Sequence, residues 1–145
     1  MSPVRVDFYL LTNPAESYYW TLACRLINKA YQQNSQIIVY CDDLAACHHL
    51  DTTLWAYQDE AFIPHALLND PLATQVPVCI TTPDSALPDN SSLLINLSTT
   101  LITDTKQLQR IIEIIPPHEP KKTAARERFR AYRQQGFTLH THSIT

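Results

Sequence analysis

The chain has 145 residues, a formal net charge of −3 at pH 7 and a single glycine. This length suits one domain with its own core, which we predict to span residues 1–145. A hydrophobic content of 45% excludes a disordered chain, and the short apolar runs exclude a membrane-spanning helix. The N-terminus has no basic region followed by a long apolar core, so we expect no signal peptide and a cytoplasmic protein.

The first part of the chain predicts a strand followed by an amphipathic helix. Residues 4–11 alternate apolar and polar side chains, which is typical of a strand. The helix is predicted to run from an N-cap at Asn13 to about Tyr31. Pro14 then takes the first helical position, and Glu16 the position of a capping-box acid. The inner face of this helix is predicted to carry Tyr19, Leu22, Ala23, Leu26, Ile27 and Ala30.

The middle of the chain predicts two strands with two short helices between them. Residues 36–41 are typical of a buried strand, and residues 76–81 predict the next one. Asp42 or Asp43 is placed to cap a helix through LAACHHL. Asp51 is placed to cap a separate short helix through TTLWAY.

The C-terminal part predicts a further strand and two helices. The strand covers residues 92–97, and the first helix covers residues 103–115. The last helix runs from about Glu119 to Gln135, with Gly136 as its C′ residue. The inner face of the first of these helices is predicted to carry Leu108, Ile111, Ile112 and Ile115. Short strands that alternate with amphipathic helices indicate an α/β domain with a mostly parallel sheet.

Nucleotide and catalytic motifs are missing from the sequence. A phosphate-binding loop needs several glycines, and the chain has neither GxGxxG nor a Walker A motif, which disfavours a degenerate nucleotide-dependent enzyme. No HExxH or Gly-x-Ser-x-Gly occurs, and the adjacent acids Asp42 and Asp43 point apart on a helix. We therefore predict no catalytic residue and no cofactor.

Four cysteines leave two interpretations open. Cys41 and Cys47 lie close to His48 and His49, but the short ligand spacings of zinc sites are missing. The other interpretation is buried free thiols in a cytoplasmic protein, and it is the one we expect. No metal is predicted.

Basic residues are concentrated near the C-terminus of an otherwise acidic chain. Six of the eleven basic residues lie between Lys121 and Arg133. On a helical wheel four of them form one continuous edge, here called the basic ridge: Lys122, Arg126, Arg130 and Arg133. Phe129 lies on its border, while Ala125 and Tyr132 point toward the core. The ridge is either a solvated charged face or a site for an anionic partner; its lack of compensating acids favours a nucleic acid or an acidic peptide.

A second constellation is the aromatic stretch LWAYQDEAFIPHALL, residues 54–68. Trp55 and Phe62 lie on either side of a predicted turn, and Pro64 and His65 follow. If both aromatic residues are core, they only stabilise the fold. If they are exposed, they are typical of a protein–protein hot spot.

Three segments together resemble the chi subunit of the bacterial DNA polymerase III holoenzyme. They are VDFYLL (6–11), LDTTLWAYQDEAFIPHAL (50–67) and ARERFRAYRQQGF (125–137), and the likeness extends over essentially the whole chain. The resemblance implies a Rossmann-like open sheet with helices on both faces, no glycine-rich phosphate loop and no enzyme activity. It implies a role in DNA replication as an accessory subunit of the clamp loader.

The resemblance also implies two protein partners, so that DNA is contacted only indirectly. The residues that match the family's surface for the psi subunit are Trp55, Phe62, Pro64 and His65. The residues that match its site for the acidic C-terminal tail of single-stranded DNA-binding protein (SSB) are Lys122, Arg126, Phe129, Arg130 and Arg133. The alternative hypothesis is a protein that binds nucleic acid directly through the basic C-terminal helix.

Overall fold

The computed structural model describes residues 4–57, 63–68, 76–85, 87–88 and 90–144. The strands in these ranges are β1 (Arg5–Leu11), β2 (Ile37–Cys41), β3 (His65–Leu67), β4 (Val78–Thr81), β5 (Leu93–Leu97), β6 (Arg110–Ile115) and β7 (Thr138–Ile144). The helices are α1 (Glu16–Gln32), α2 (Leu44–Ala56) and α3 (Glu119–Gln134). None of the helices among the described residues is long and apolar enough to cross a membrane.

All the described strands form one open parallel sheet with the order β3-β4-β2-β5-β6-β1-β7. Successive residues of a strand point to opposite faces, so each strand contributes to two cores. Val39 packs in the core formed with α1 and α2, and Ile38 in the core formed with α3. The predicted α/β fold, with a parallel sheet between helices on both faces, is confirmed.

Helix α1 begins later than the sequence predicted. Ala15 is its N-cap, without a side-chain hydrogen bond, and the first helical residue is Glu16. The Asn13 side chain does accept a hydrogen bond, from the Ala15 N–H at 2.9 Å, but in the turn that precedes the helix. Asn13 is therefore a turn residue and not the N-cap. The six predicted inner-face residues of α1 are all buried.

The prediction of two short helices after β2 was wrong, because α2 is continuous. Asp43 is its N-cap and accepts a hydrogen bond from the Ala46 N–H at 2.8 Å. Asp51 lies inside the helix and caps nothing. Leu50 and Leu54 are both buried one turn apart, so the apolar face continues through Asp51 without a glycine or proline to break it.

The predicted helix over residues 103–115 was also wrong. Residues 110–115 form β6, a strand in the sheet between β5 and β1. Ile111 and Ile112 point to opposite faces, and both faces are covered, so the strand reads as a nearly continuous apolar run. Such a run mimics helical spacing over a few residues, and its β-branched side chains favour the strand.

The last helix ends where the sequence predicted. Gly136 has φ +82° in the left-handed region, where glycine carries no Cβ penalty. The Gly136 N–H donates to the Arg133 carbonyl at 3.1 Å and the Phe137 N–H to the Tyr132 carbonyl at 3.2 Å. These two bonds and the Tyr132–Phe137 ring contact at 5.9 Å form a Schellman motif. The chain then returns as β7, for which the sequence predicted no strand.

Candidate functional site

A pocket of about 420 Å³ lies between α3 and the sheet. Its rim contains the four residues of the basic ridge, Lys122, Arg126, Arg130 and Arg133. Its apolar part is built from Phe8, Leu10, Ile115, Ala125 and Phe129. The five residues predicted for the C-terminal helix site therefore surround a single cavity.

The floor of the pocket is aromatic. Phe8 on β1 contacts Phe129 with ring centroids 5.4 Å apart, and Tyr132 with centroids 6.2 Å apart. Phe8 and Leu10 share one face of β1, and Leu10 remains 36% exposed beside the cavity. An exposed leucine next to an open aromatic floor leaves apolar surface that a ligand could cover.

The charges on the rim are only partly compensated. Lys122 pairs with Glu119 at 3.5 Å, so the ridge does have one neighbouring acid, contrary to the sequence analysis. Arg126, Arg130 and Arg133 are exposed and take part in no ion pair within the described residues. Three arginine side chains therefore give the mouth of an apolar pocket a positive potential.

The remaining arginine of this helix has a different role. Arg128 is buried and its Nη2 atom lies 3.0 Å from Oε1 of Glu113 on β6. Glu113 also accepts hydrogen bonds from Tyr132 Oη at 2.8 Å and from Asn96 Nδ2 at 3.0 Å. Arg128 Nη1 donates to the Thr99 carbonyl at 3.1 Å. This network fixes α3 to the sheet, and with it the orientation of the ridge.

Burial determines the electrostatics of this network. Removal from water raises the pKa of Glu113, against the opposing effects of Arg128 and the hydrogen bonds that it accepts. Burial, and then the Glu113 carboxyl group, raise the pKa of Tyr132. Tyr132 therefore remains a neutral hydroxyl donor. No buried side-chain nitrogen or oxygen among the described residues lacks a hydrogen-bond partner.

The aromatic stretch is only partly described. Trp55, in the last turn of α2, is 57% exposed. The buried His65 ring lies 4.8 Å from it, and its two nitrogens lie 2.6 Å from the Ile63 carbonyl and 3.2 Å from Asp51 Oδ1. His65 is therefore positioned as a support for Trp55. Pro64 is half-buried, and the predicted contact residue Phe62 lies outside the described residues.

Sequence reasoning missed the part of the pocket that the sheet contributes. Phe8 and Leu10 on β1 are far from α3 in the chain, while Ile115 and Thr141 lie in β6 and β7, the strands that precede and follow it; all four meet α3 at the pocket only in the fold. The alternation along β1 does predict that Phe8 and Leu10 share a face. Because residues 103–115 were predicted as a helix, the position of Ile115 at the end of a strand beside the pocket was not predicted.

The four cysteines are buried thiols, as the second interpretation expected. Cys24, Cys41, Cys47 and Cys79 are all free and buried. Burial raises the pKa of Cys24 and of Cys79 to about 11. Among the described residues, no three His, Cys, Asp or Glu side chains are grouped so as to hold a metal ion.

These features define an open α/β protein with a cation-rimmed apolar pocket on its surface. Residues 4–140 match the family described as DNA polymerase III chi subunit, HolC, and the chain belongs to this family. It is 34% identical to DNA polymerase III subunit chi of Pseudomonas aeruginosa over 140 residues, which cover 97% of this chain and 96% of that protein. It is 30% identical to the Escherichia coli subunit chi over 138 residues, or 92% and 94% of the two chains.

A solved structure shares the fold alone. The crystal structure of T4 UvsW matches with a TM-score of 0.66 at 6% identity, over 98% of this chain and 41% of that one. Family membership gives the chain its general role, an accessory subunit of DNA polymerase III in DNA replication.

Proposed function

We propose that this protein is a non-catalytic adaptor that joins the clamp loader, through the psi subunit, to the acidic C-terminal tail of SSB. The observation that carries the proposal is the pocket beside α3. It combines an aromatic floor with three arginines that have no ion pair among the described residues. A peptide that ends in phenylalanine with a free carboxylate offers a ring and a charge in one residue, so it complements such a pocket.

Each part of the tail has a matching part of the site. The terminal ring would pack against Phe8 and Phe129, where apolar surface is open. The terminal carboxylate would accept two parallel hydrogen bonds from the planar guanidinium of Arg126. Acidic side chains earlier in the tail would lie along Arg130 and Arg133, where attraction falls as salt rises.

The psi subunit would bind a different surface. Trp55 is 57% exposed although it is a large aromatic residue, and the buried His65 lies against it. Exposed tryptophans held by a rigid neighbour are typical of interface hot spots. Phe62 and Pro64 would complete this surface. Trp55 lies in α2, and the buried face of α2 packs on the side of the sheet opposite α3, so both partners could bind at once.

Two titrations test the tail assignment against the alternative hypothesis. The protein is titrated with a fluorescent acidic peptide that ends in Asp-Ile-Pro-Phe, and separately with labelled oligo-dT. We expect saturable binding of the peptide that the Arg126→Ala variant loses. If Arg126→Ala instead abolishes oligo-dT binding and leaves peptide binding unchanged, the basic helix is a nucleic-acid site and the proposal is wrong.

A pull-down tests the clamp-loader assignment. Tagged wild-type protein should retain psi from cell extract, and the Trp55→Ala variant should not. Arg126→Ala is the matched control and should retain psi normally. Equal retention by the wild type and Trp55→Ala would reject this surface.

A further inference from the structure

A second group of cations surrounds Asp7, on the face of the sheet opposite the α3 pocket. Asp7 alternates with Val6 and Phe8, which both pack under α3, so its side chain points the other way. The carboxylate is fully buried and accepts hydrogen bonds from Arg110 Nε at 2.7 Å, from Arg5 Nε at 3.0 Å and from His142 Nε2 at 2.8 Å. Three strands, β6, β1 and β7, contribute these residues.

The charge balance of this cluster is positive. Burial would raise the pKa of Asp7, but hydrogen bonds from Arg5, His142 and Arg110 lower it to about 2. Asp7 is therefore a permanent carboxylate at neutral pH. Two permanent guanidinium charges face this one negative charge, so at least one positive charge remains.

Part of each guanidinium is available to another acceptor. Asp7 uses only Nε of Arg110, and it uses Nε and Nη2 of Arg5. Both Nη groups of Arg110 and Nη1 of Arg5 make no hydrogen bond to the described residues. The side chains are 32% and 50% exposed respectively, so these donors can reach solvent. Asp7 thus orients two arginines whose outer N–H groups are still available.

A pair of stacked rings lies beside the two guanidiniums. Tyr9 and His142 are direct neighbours in the β1–β7 register, and their ring centroids are 4.7 Å apart at an interplanar angle of 22°. The His142 side chain is 38% exposed. Because β7 is the edge strand of the sheet, this stack lies at an accessible border.

We propose that this corner binds single-stranded nucleic acid, with two neighbouring phosphodiesters on Arg5 and Arg110, one on each, and a base on the Tyr9–His142 stack. Cations that follow a phosphate backbone, combined with rings on which bases stack, are how single strands are held without sequence preference. An acidic peptide would use the guanidiniums but not the rings. The site is independent of the proposed tail pocket, which lies on the other face.

Fluorescence anisotropy with labelled oligo-dT over a salt series tests this site. Two phosphate contacts predict a slope of about −1.4 for log K against log salt, and Arg110→Gln should reduce its magnitude by about 0.7. Glutamine keeps one N–H for Asp7. Arg25→Gln, an exposed arginine on α1, is the matched control and should bind like the wild type. Tail-peptide binding by Arg110→Gln should be normal, and Arg126→Ala should bind oligo-dT normally.

Four results would overturn the proposal. The first is that the wild type shows no salt-dependent binding of oligo-dT. The second is that Arg110→Gln binds oligo-dT with the same affinity and salt slope as Arg25→Gln. The third is that an abasic strand with the same phosphates binds as tightly as oligo-dT, which would rule out a contact between a base and the rings. The fourth is that an acidic peptide of equal charge displaces labelled oligo-dT as well as unlabelled oligo-dT does, which would make the corner a general anion-binding surface. Circular dichroism checks the fold of each variant, and Arg5→Gln, at a more exposed residue, replaces Arg110→Gln if the latter unfolds.

Discussion

Arg128 on α3 and Glu113 on β6 form an ion pair with a 3.0 Å contact in the interior of the protein. The six basic residues clustered at the C-terminus are therefore not equivalent. Arg128 attaches the helix to the sheet, while Arg126, Arg130 and Arg133 face solvent at the pocket. The internal pair holds the helix in the position that places the external arginines around the aromatic floor.

Replacing Arg128 should strongly destabilise the fold. Arg128→Ala leaves the buried Glu113 carboxylate without its countercharge, which typically costs about 3–5 kcal/mol. Urea unfolding followed by circular dichroism measures the loss. The double variant Arg128→Met with Glu113→Gln removes both charges and should recover most of the stability. A single variant within about 0.5 kcal/mol of wild type would show that the pair does not hold α3.

Gly136→Ala should cost about 1 kcal/mol of unfolding free energy. Its φ of +82° is unfavourable for a residue with a Cβ atom, but an added Cβ would meet no atom within 4 Å. The cost is therefore limited to backbone strain at the C′ position of α3. Thermal unfolding measures it, and Gln135→Ala, one residue earlier, serves as the control with little expected change. A loss above about 3 kcal/mol would mean that the position has steric contacts as well.

Asp7 should make stability depend on acid pH. Its folded pKa of about 2 lies below the usual 3.8, so the folded state binds fewer protons than the unfolded state. The stabilisation is thus complete above about pH 5 and is lost as pH falls toward 2. Because Arg5 is half-exposed and screened, we expect a contribution on the order of 1–2 kcal/mol.

Unfolding curves of wild type and Asp7→Asn at several pH values check this effect. The stability difference between them should be largest near neutrality and should shrink between about pH 5 and pH 2. A difference that stays constant over this range would show that the charge of Asp7 does not stabilise the cluster.

Trp55→Ala should weaken psi binding by about thirtyfold or more, since truncated hot-spot aromatics cost roughly 2 kcal/mol or more. Its effect on stability should be small because the side chain is 57% exposed. Calorimetric titration with purified psi measures the affinity, and thermal unfolding measures the fold. An unfolded variant, or one with unchanged affinity, contradicts the assignment. Tyr18→Ala, at an exposed aromatic on α1, is the matched control.

The sequence predicted the elements whose signals are local. The end of α3 could be predicted because a lone glycine directly after an amphipathic helix is typical of the C′ position. The helical wheel placed Ala125 and Tyr132 toward the core. Both are buried. The strand over residues 110–115 could not be predicted from local signals. A strand covered on both faces loses its period of two, and only its neighbours β5 and β1 decide its structure.

The candidate site shows the same division. The cations of the ridge follow from spacing within one helix. Phe8 and Leu10 lie more than a hundred residues before α3, and Thr141 lies in β7, which follows it, so only the sheet order brings them together at the pocket. The burial of Arg128 depends on Glu113, whose strand had been taken for a helix.

The central claim is that the α3 pocket binds a peptide's terminal carboxylate through Arg126. The most direct measurement is a double-mutant cycle by calorimetry, which compares wild type and Arg126→Ala with tail peptides ending in a free carboxylate or an amide. Arg25→Ala is the control. For the free peptide we predict a loss of about tenfold or more in Arg126→Ala, since charge-assisted hydrogen bonds contribute roughly 1.5–3 kcal/mol. For the amidated peptide, replacing Arg126 by Ala should reduce the affinity only slightly. Equal binding of the free peptide to wild type and Arg126→Ala would contradict the claim.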